Sequence, residues 1–325
     1  MSLNVVDCVI QHGKEKHAGL IPSRRQVDYS GGYVNGWTTK GFSEYVRSSA
    51  SSLFLCRDHG GPSQGSIVDD GISSMVDDAK HFDLIHIDPF KQTKKIEEAI
   101  LITQSLIEKV YAENPSILFE IGTEEAICKY EPNDLHFFLS QLKKLISDEH
   151  FANIKYAVVQ SGTGLDLANM KNTGIFDAKR LAAFIGVCKE FHIASKEHNG
   201  DYLIEESLLR QRFEIGLDAI NIAPEFGQIE TDWYLKACKK ESEILYQKFF
   251  DICYTSNKWS KWISSHNSSG LTKDSYIRMS GHYLLSNQNF LSEIKAYFPN
   301  SDQEIKQIIQ NRLESLHEQT KDYCI

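Results

Sequence analysis

Phe54-Leu55-Cys56-Arg57-Asp58-His59 is a short apolar run that stops on a charged cluster. Runs of the same kind recur as Leu84-Ile85-His86-Ile87-Asp88, Leu118-Phe119-Glu120-Ile121-Gly122-Thr123-Glu124 and Ala157-Val158-Val159-Gln160-Ser161-Gly162. Two more are His192-Ile193-Ala194-Ser195-Lys196-Glu197-His198 and Ala219-Ile220-Asn221-Ile222-Ala223-Pro224. Ala18-Gly19-Leu20-Ile21-Pro22 precedes the series and Tyr276-Ile277-Arg278-Met279 ends it, which makes eight runs. Buried parallel strands read as short continuous hydrophobic runs. Polar residues gathered at the C-terminal ends of such runs point to an α/β fold, the closed (β/α)8 or TIM barrel. The active site of that fold is built from the loops after the strands.

The spacing supports this reading. Successive runs leave room for one helix and two loops, and helix-period stripes fill the intervals. Ile67, Val68, Ile72, Met75, Val76 and Ala79 form one stripe; Ile96, Ala99, Ile100, Ile107 and Val110 form another. Pro132 opens a helix carrying Leu135, Phe138, Leu139 and Leu142, and helices are expected over Ile175 to Glu190 and Glu205 to Ile215. The interval before the last run is much longer. It holds a helix expected from about Thr231 to Phe250, then a polar stretch from Ser256 to Lys273 with Trp259 and Trp262. We read residues 1–325 as a single barrel domain with an insertion at about 231–273, an excursion over the barrel or part of a homo-oligomer interface. A C-terminal helix is expected over Gln303 to Thr320.

Composition bounds the function. The 325 residues are 41% hydrophobic and 24% charged, as in a globular enzyme, and the net charge of −9 argues against a nucleic-acid surface. Seven scattered cysteines without a C-x-x-C pair read as reduced thiols. No stretch approaches the ~18 apolar residues of a membrane helix. With no secretory signal in Met1-Ser2-Leu3-Asn4, a cytoplasmic location is expected.

Asp58-His59-Gly60-Gly61-Pro62 is the sharpest motif. An imidazole that can ligate a divalent ion beside a carboxylate that can move a proton suits metal-assisted chemistry. A helix cap at Asp58 and a packed His59 explain it equally well. His86 and Asp88 share one face of a strand, because side chains alternate with period two. Glu124 stands at another strand end, and Gln160-Ser161-Gly162-Thr163-Gly164 is a small-residue loop that suits a phosphate or a plain turn. Glu197-His198-Asn199-Gly200-Asp201-Tyr202 puts six residues able to bind, ligate or turn in one loop.

The order of these motifs resembles the Z-subunit family of D-tagatose-1,6-bisphosphate aldolase, relatives of the class II aldolases. The resemblance rests on Gln26-Val27 with Gly31-Gly32-Tyr33, Asp58-His59-Gly60-Gly61-Pro62, Ile85-His86-Ile87-Asp88 and Ile121-Gly122-Thr123-Glu124. It continues through Val158-Val159-Gln160 with Gly162, Glu197-His198 with Asp201-Tyr202, and Asp274-Ser275-Tyr276-Ile277-Arg278. The resemblance implies a TIM barrel in sugar or sugar-phosphate metabolism. It implies a divalent metal, zinc in class II aldolases, on His59 and His198, completed by His86 or Glu124. Asp58 would be the acid–base group, with Asp88 or Glu197 as the alternative. Gln160, Gly162, Thr163, Gly164, Asn199, Gly200, Asp201, Tyr202 and Arg278 would hold the substrate. The family's third zinc His has no counterpart, since the matching strand ends in Gln160, and its Pro-Gly-Gly loop is replaced by Glu125-Ala126-Ile127. The expected activity is metal-assisted aldol cleavage or epimerisation of a ketose. The alternative is a non-catalytic subunit that supports a partner aldolase.

Overall fold

The computed structural model describes residues 1–263 and 270–323. Seven of the eight runs form strands of one all-parallel sheet: β1 (Gly19–Leu20), β2 (Phe54–Gly60), β3 (Leu84–Ile87), β4 (Leu118–Ile121), β5 (Ile154–Val159), β8 (Ala194–Glu197) and β9 (Ala219–Ile220). They pair in the order β1-β2-β3-β4-β5-β8-β9. A two-residue-stranded antiparallel hairpin, β6 (Leu165–Asp166) and β7 (Lys171–Asn172), stands in the loop after β5. Leaving that hairpin aside, each strand of the parallel sheet pairs with the next one along the chain, as short crossovers through helices require.

The closed eight-stranded barrel is not what forms. The sheet curls into an open barrel, and β1 and β9 are unpaired edges among the described residues. The eighth run, Tyr276 to Met279, lies in a helix, Lys273–Ser280. Its start is set by a capping box: Thr272 accepts from Ser275 N while the Ser275 side chain accepts from Thr272 N. Four apolar-looking residues cannot by themselves distinguish a buried strand from a buried turn of helix. Where an eighth strand would stand, the helix Ser301–Thr320 flanks the gap. Its Leu313 and Leu316 line the same cavity as Leu20 of β1 and Ile220 of β9. That helix packs on Leu3–Gly13 through Cys8, Ile305 and Ile309, with Lys306–Asp7 and Asn4–Asp302 contacts at the rim.

Other boundaries also moved. The long helix expected over 231–250 is two, Pro224–Glu241 and Glu243–Thr255, broken where Ser242 turns extended and caps Leu245 N. Ile67, Val68 and Ile175 lie outside their expected helices and are exposed, because those helices start at Ile72 and Ala178. Of the expected 231–273 excursion, residues 264–269 lie outside the described residues. Among the described residues no helix is long and apolar enough to cross a membrane.

The period-two rule sorts the strand residues. Outward-facing Ile85, Ile87, Phe119, Ile121, Ala157 and Val159 pack under the surrounding helices. Arg57 also faces outward. It is wholly buried and grips Asp78 of the helix Ile72–His81 through Nε and Nη2, both at 2.7 Å, with Pro22 O at 2.8 Å. Paired buried charge is tolerated; the same carboxylate without its partner is not. Arg57→Met should therefore lose about 3–5 kcal/mol in urea unfolding, and Arg57→Met with Asp78→Leu should recover most of it.

Candidate functional site

At β2 the alternation breaks. The pairing of β2 with β3 shifts register between Arg57 and Gly60, and His59 sits at φ 45°. A bulge of this kind inserts a residue and re-aims its side chain. Asp58 and His59, though consecutive, both line the same cavity. On the neighbouring strands His86 and Glu120 are paired in register and face inward. Lys196 of β8 lines the cavity, and its neighbour Glu197 points to the opposite side of the sheet.

Three imidazoles meet at this mouth. Ring centroids are 5.1 Å apart for His59–His86, 5.5 Å for His59–His198 and 5.0 Å for His86–His198. Asp58 Oδ1 is 3.8 Å from His59 Nε2, 3.9 Å from His86 Nδ1 and 4.0 Å from His198 Nδ1. Glu124 Oε1 stands 3.9 Å from His59 Nε2 and is braced by Asn199 Nδ2, which donates to its Oε2 at 2.7 Å.

The far nitrogen of each ring is held from behind. His59 Nδ1–H donates to Asp88 Oδ2 at 2.7 Å, and Asp88 also accepts from Thr123 Oγ1 and Phe90 N. His198 Nε2–H donates to Glu120 Oε1 at 2.6 Å, while Lys196 Nζ donates to Glu120 Oε2 at 2.5 Å. His86 Nε2–H donates to Gly122 O at 3.0 Å. Such outer partners fix the tautomer and aim the other nitrogen, as in metal sites. His86 Nδ1 differs from the other two in accepting a bond of 3.3 Å from His59 N.

Electrostatics agree. Burial works against charge at His59, but Asp58, Asp88 and Glu124 outweigh it and push its pKa up to about 10. Burial also opposes ionisation of Glu120, yet Lys196, His86 and His198 hold it well below the usual carboxylate range. Asp58 is held low against burial by the same three imidazoles. The pocket therefore favours positive charge among its carboxylates, and a cation can supply it in place of protons.

The donor set fits a metal. Asp58, His86 and His198 offer ligand atoms within 4.8 Å of one another, and so do His59, Glu124 and His198. An ion bound tetrahedrally at roughly 2.0–2.1 Å holds its ligands about 3.4 Å apart. Within the second set, the 3.9 Å between His59 Nε2 and Glu124 Oε1 needs only a small contraction.

Several expected catalytic and substrate residues lie elsewhere. Glu197 is buried on the far side of the sheet, bound to Ser161 and to Arg212 Nε at 3.0 Å. Gln160 spends its amide on Thr123 O, Cys128 O and Tyr130 N, bracing the loop after β4. Thr163 binds back to Glu197 and His198 O. Gly162, at φ 90°, packs on Ile175 O, Gly164 on Thr173, and Gly200 on Ile220. Asp201 caps the helix Pro224–Glu241 by accepting from Ala223 N and Glu225 N, and the Tyr202 hydroxyl bonds Gln228. Arg278 pairs with Asp232 at 3.1 Å, off the mouth, because its segment is helical. Glu120 and Lys196 carry no role in the sequence reading. Their signal was charge buried inside apolar runs at inward-facing positions.

No family model matches the chain, and no curated protein matches it in sequence. Among solved structures it is similar to the YdjI aldolase of Escherichia coli, with TM-score 0.51 and 13% identity over 90% of this chain and 89% of that one. It is also similar to the glycerol-bound fructuronate-tagaturonate epimerase UxaE of Cohnella laeviribosi, with TM-score 0.58 and 12% identity over 98% of this chain and 79% of that one. At these identities the likeness is one of architecture: the chain shares its fold with the YdjI aldolase and the UxaE epimerase.

Proposed function

We propose that this protein is a divalent-metal enzyme of sugar metabolism that cleaves or epimerises a ketose. The observation that carries the reading is the convergence of three imidazoles on Asp58 Oδ1, each with its far nitrogen tied to an acceptor. Scattered structural histidines have no reason to share one focus. The order of motifs that resembles tagatose-bisphosphate aldolase Z subunits, and the fold shared with YdjI and UxaE, point to the same substrate class.

His59 and His198, with Glu124, would hold the ion, for which zinc suits the nitrogen-rich donor set, while His86 has both ring nitrogens committed. Bound there, a divalent ion supplies Lewis-acid polarisation of a substrate carbonyl. The chain supplies the rest. Asp58, ionised at neutral pH, takes the hydroxyl proton whose departure accompanies C–C cleavage and returns it on re-addition. Epimerisation follows if the fragment turns before it re-adds. Asn199 holds Glu124 in place, and Lys196 keeps Glu120 charged against His198.

Zinc titrated into metal-free protein should raise its stability by about 2.7 kcal/mol at a hundredfold excess over Kd, read as a Tm shift. His59→Ala and His198→Ala should abolish that shift. Asp58→Asn should keep the metal and lower turnover of a ketose by about 10²–10⁴-fold; loss of the metal instead would make Asp58 a ligand. If metal-loaded wild-type protein turns over no hexulose, hexuluronate or hexulose phosphate, the accessory-subunit reading takes its place.

Lys196→Met tests the buried relay separately. It leaves Glu120 without its cation and His198 without a firm acceptor. Zinc affinity by competition with a chromogenic chelator should fall about 10–100-fold, with all direct ligands intact.

A further inference from the structure

The cavity lined by His59 and His198 has a volume of about 1230 Å³, far more than an ion requires. Arg25, Lys91, Lys94 and Lys261 are among the cations that line it, and Arg25, Lys91 and Lys261 lie close enough to act on one another's charge. Lys94 is already spent on backbone, donating to Phe90 O at 2.6 Å and Ile127 O at 2.7 Å. The other three form no ion pair with a carboxylate among the described residues.

Their placement is fixed by the elements that build the catalytic mouth. Arg25 follows Arg24, whose guanidinium is anchored on Gly61 O, Asp28 and Asp69. Lys91 closes the short helix Pro89–Lys91, which starts on Asp88, the carboxylate behind His59, and its ammonium bonds Ser63 O. Lys261 comes from the excursion before the helix Lys273–Ser280. Its ammonium lies 4.8 Å from the Trp262 ring centre and 4.5 Å from that of Tyr283. Tyr33 packs edge-on against Tyr283 at 5.5 Å, and Trp262 Nε1 donates to the Tyr283 hydroxyl at 3.2 Å. All three aromatic residues line the cavity.

We propose that Arg25, Lys91 and Lys261 form an anion subsite that takes the terminal carboxylate or phosphate of an acidic ketose, whose other end lies at the histidine cluster. The inference rests on the ketose reading above and adds what that reading leaves open, the charge of the substrate. Like charges held together without a counter-ion repel one another, and a bound anion relieves that cost. The neighbouring cations add to a larger effect of burial: burial, then Arg25, lowers the pKa of Lys91, and burial with Arg25, Lys258 and Lys91 pushes Lys261 down to about 8, although the residue as a whole is exposed. The one carboxylate that acts on Lys91, Asp88, is committed to His59 and Thr123. The aromatic wall beneath Lys261 offers apolar faces with polar tips to the carbon chain between the two ends.

The experiment is calorimetric titration of zinc-loaded protein with a neutral hexulose, the matching hexuluronate and the hexulose 6-phosphate, at low and high salt. In wild type, one or both anionic ligands should bind at least tenfold tighter than the neutral one, and less tightly as salt rises. The tighter of the two identifies carboxylate or phosphate as the natural group. Arg25→Gln and Lys261→Met should each weaken the anionic ligand about tenfold, leaving zinc affinity and the neutral hexulose unchanged. These side chains are exposed and lack acidic partners, so both variants should fold. Equal affinity for neutral and anionic ligands in wild type overturns the subsite while leaving the ketose reading in place. So does anion binding that survives both substitutions. Failure of zinc to bind overturns the function itself. Inorganic phosphate titrated alone then still tests the subsite, and binding that the Arg25→Gln and Lys261→Met variants do not weaken overturns it.

Discussion

The mouth depends on a carboxylate placed where an isolated charge would be prohibitively costly. Glu120 is wholly buried, on a central strand of a parallel sheet. It is stable there because Lys196 meets one oxygen and His198 the other. Remove the lysine and the glutamate must take up a proton or stay charged and unpaired; remove the glutamate and both His198 and Lys196 lose their anchor. The same carboxylate thus holds the barrel interior together and aims a ring at the mouth. His86, its register neighbour, and Asp58 complete a polar column on the inner side of the sheet.

The open seam sets how the rest of the molecule is arranged. Among the described residues β1 and β9 each keep one edge unpaired, and those edges are only two residues long. Short edges limit unwanted pairing, and the N- and C-terminal helices fill the flank. The chain that a closed barrel would spend on an eighth strand goes into helices packed beside the opening. The excursion before Lys273–Ser280 brings Lys261 and Trp262 to the rim. Chemistry and recognition would then come from different parts of the chain: metal-type ligands from the strand ends, anion and ring contacts from the loop after β1, the Asp88 turn and the excursion.

Much of this was legible in the sequence. Seven strands were, because burial on both faces forces apolar runs, and a strand long enough to carry polar residues at its end shows them. The gathering of Asp58, His59, His86, Asp88, Glu124 and His198 also was, since a parallel barrel brings all its strand ends to one rim. Sequence spacing could not reveal that Tyr276–Met279 is helical. Four residues fit either period, and the deciding feature was the Thr272–Ser275 cap outside the run. That single reading carried Arg278 to the mouth when it belongs with Asp232.

The sequence by itself determined which residue types stand at which strand ends, and so the kind of chemistry available there. Tertiary structure decided which of them face the cavity. Glu197 and Lys196 are neighbours in one run, yet the pleat sends one outward to Arg212 and the other inward to Glu120. Asp58 and His59 should have parted in the same way, and a bulge at φ 45° keeps them together. The loop polar groups at Gln160, Thr163 and Asp201 were claimed by nearby backbone and side-chain donors and acceptors, a competition that only packing resolves. Alternation, register and backbone hydrogen bonding depend on partners distant in the chain, which is why the composition of the site was written locally and its geometry was not.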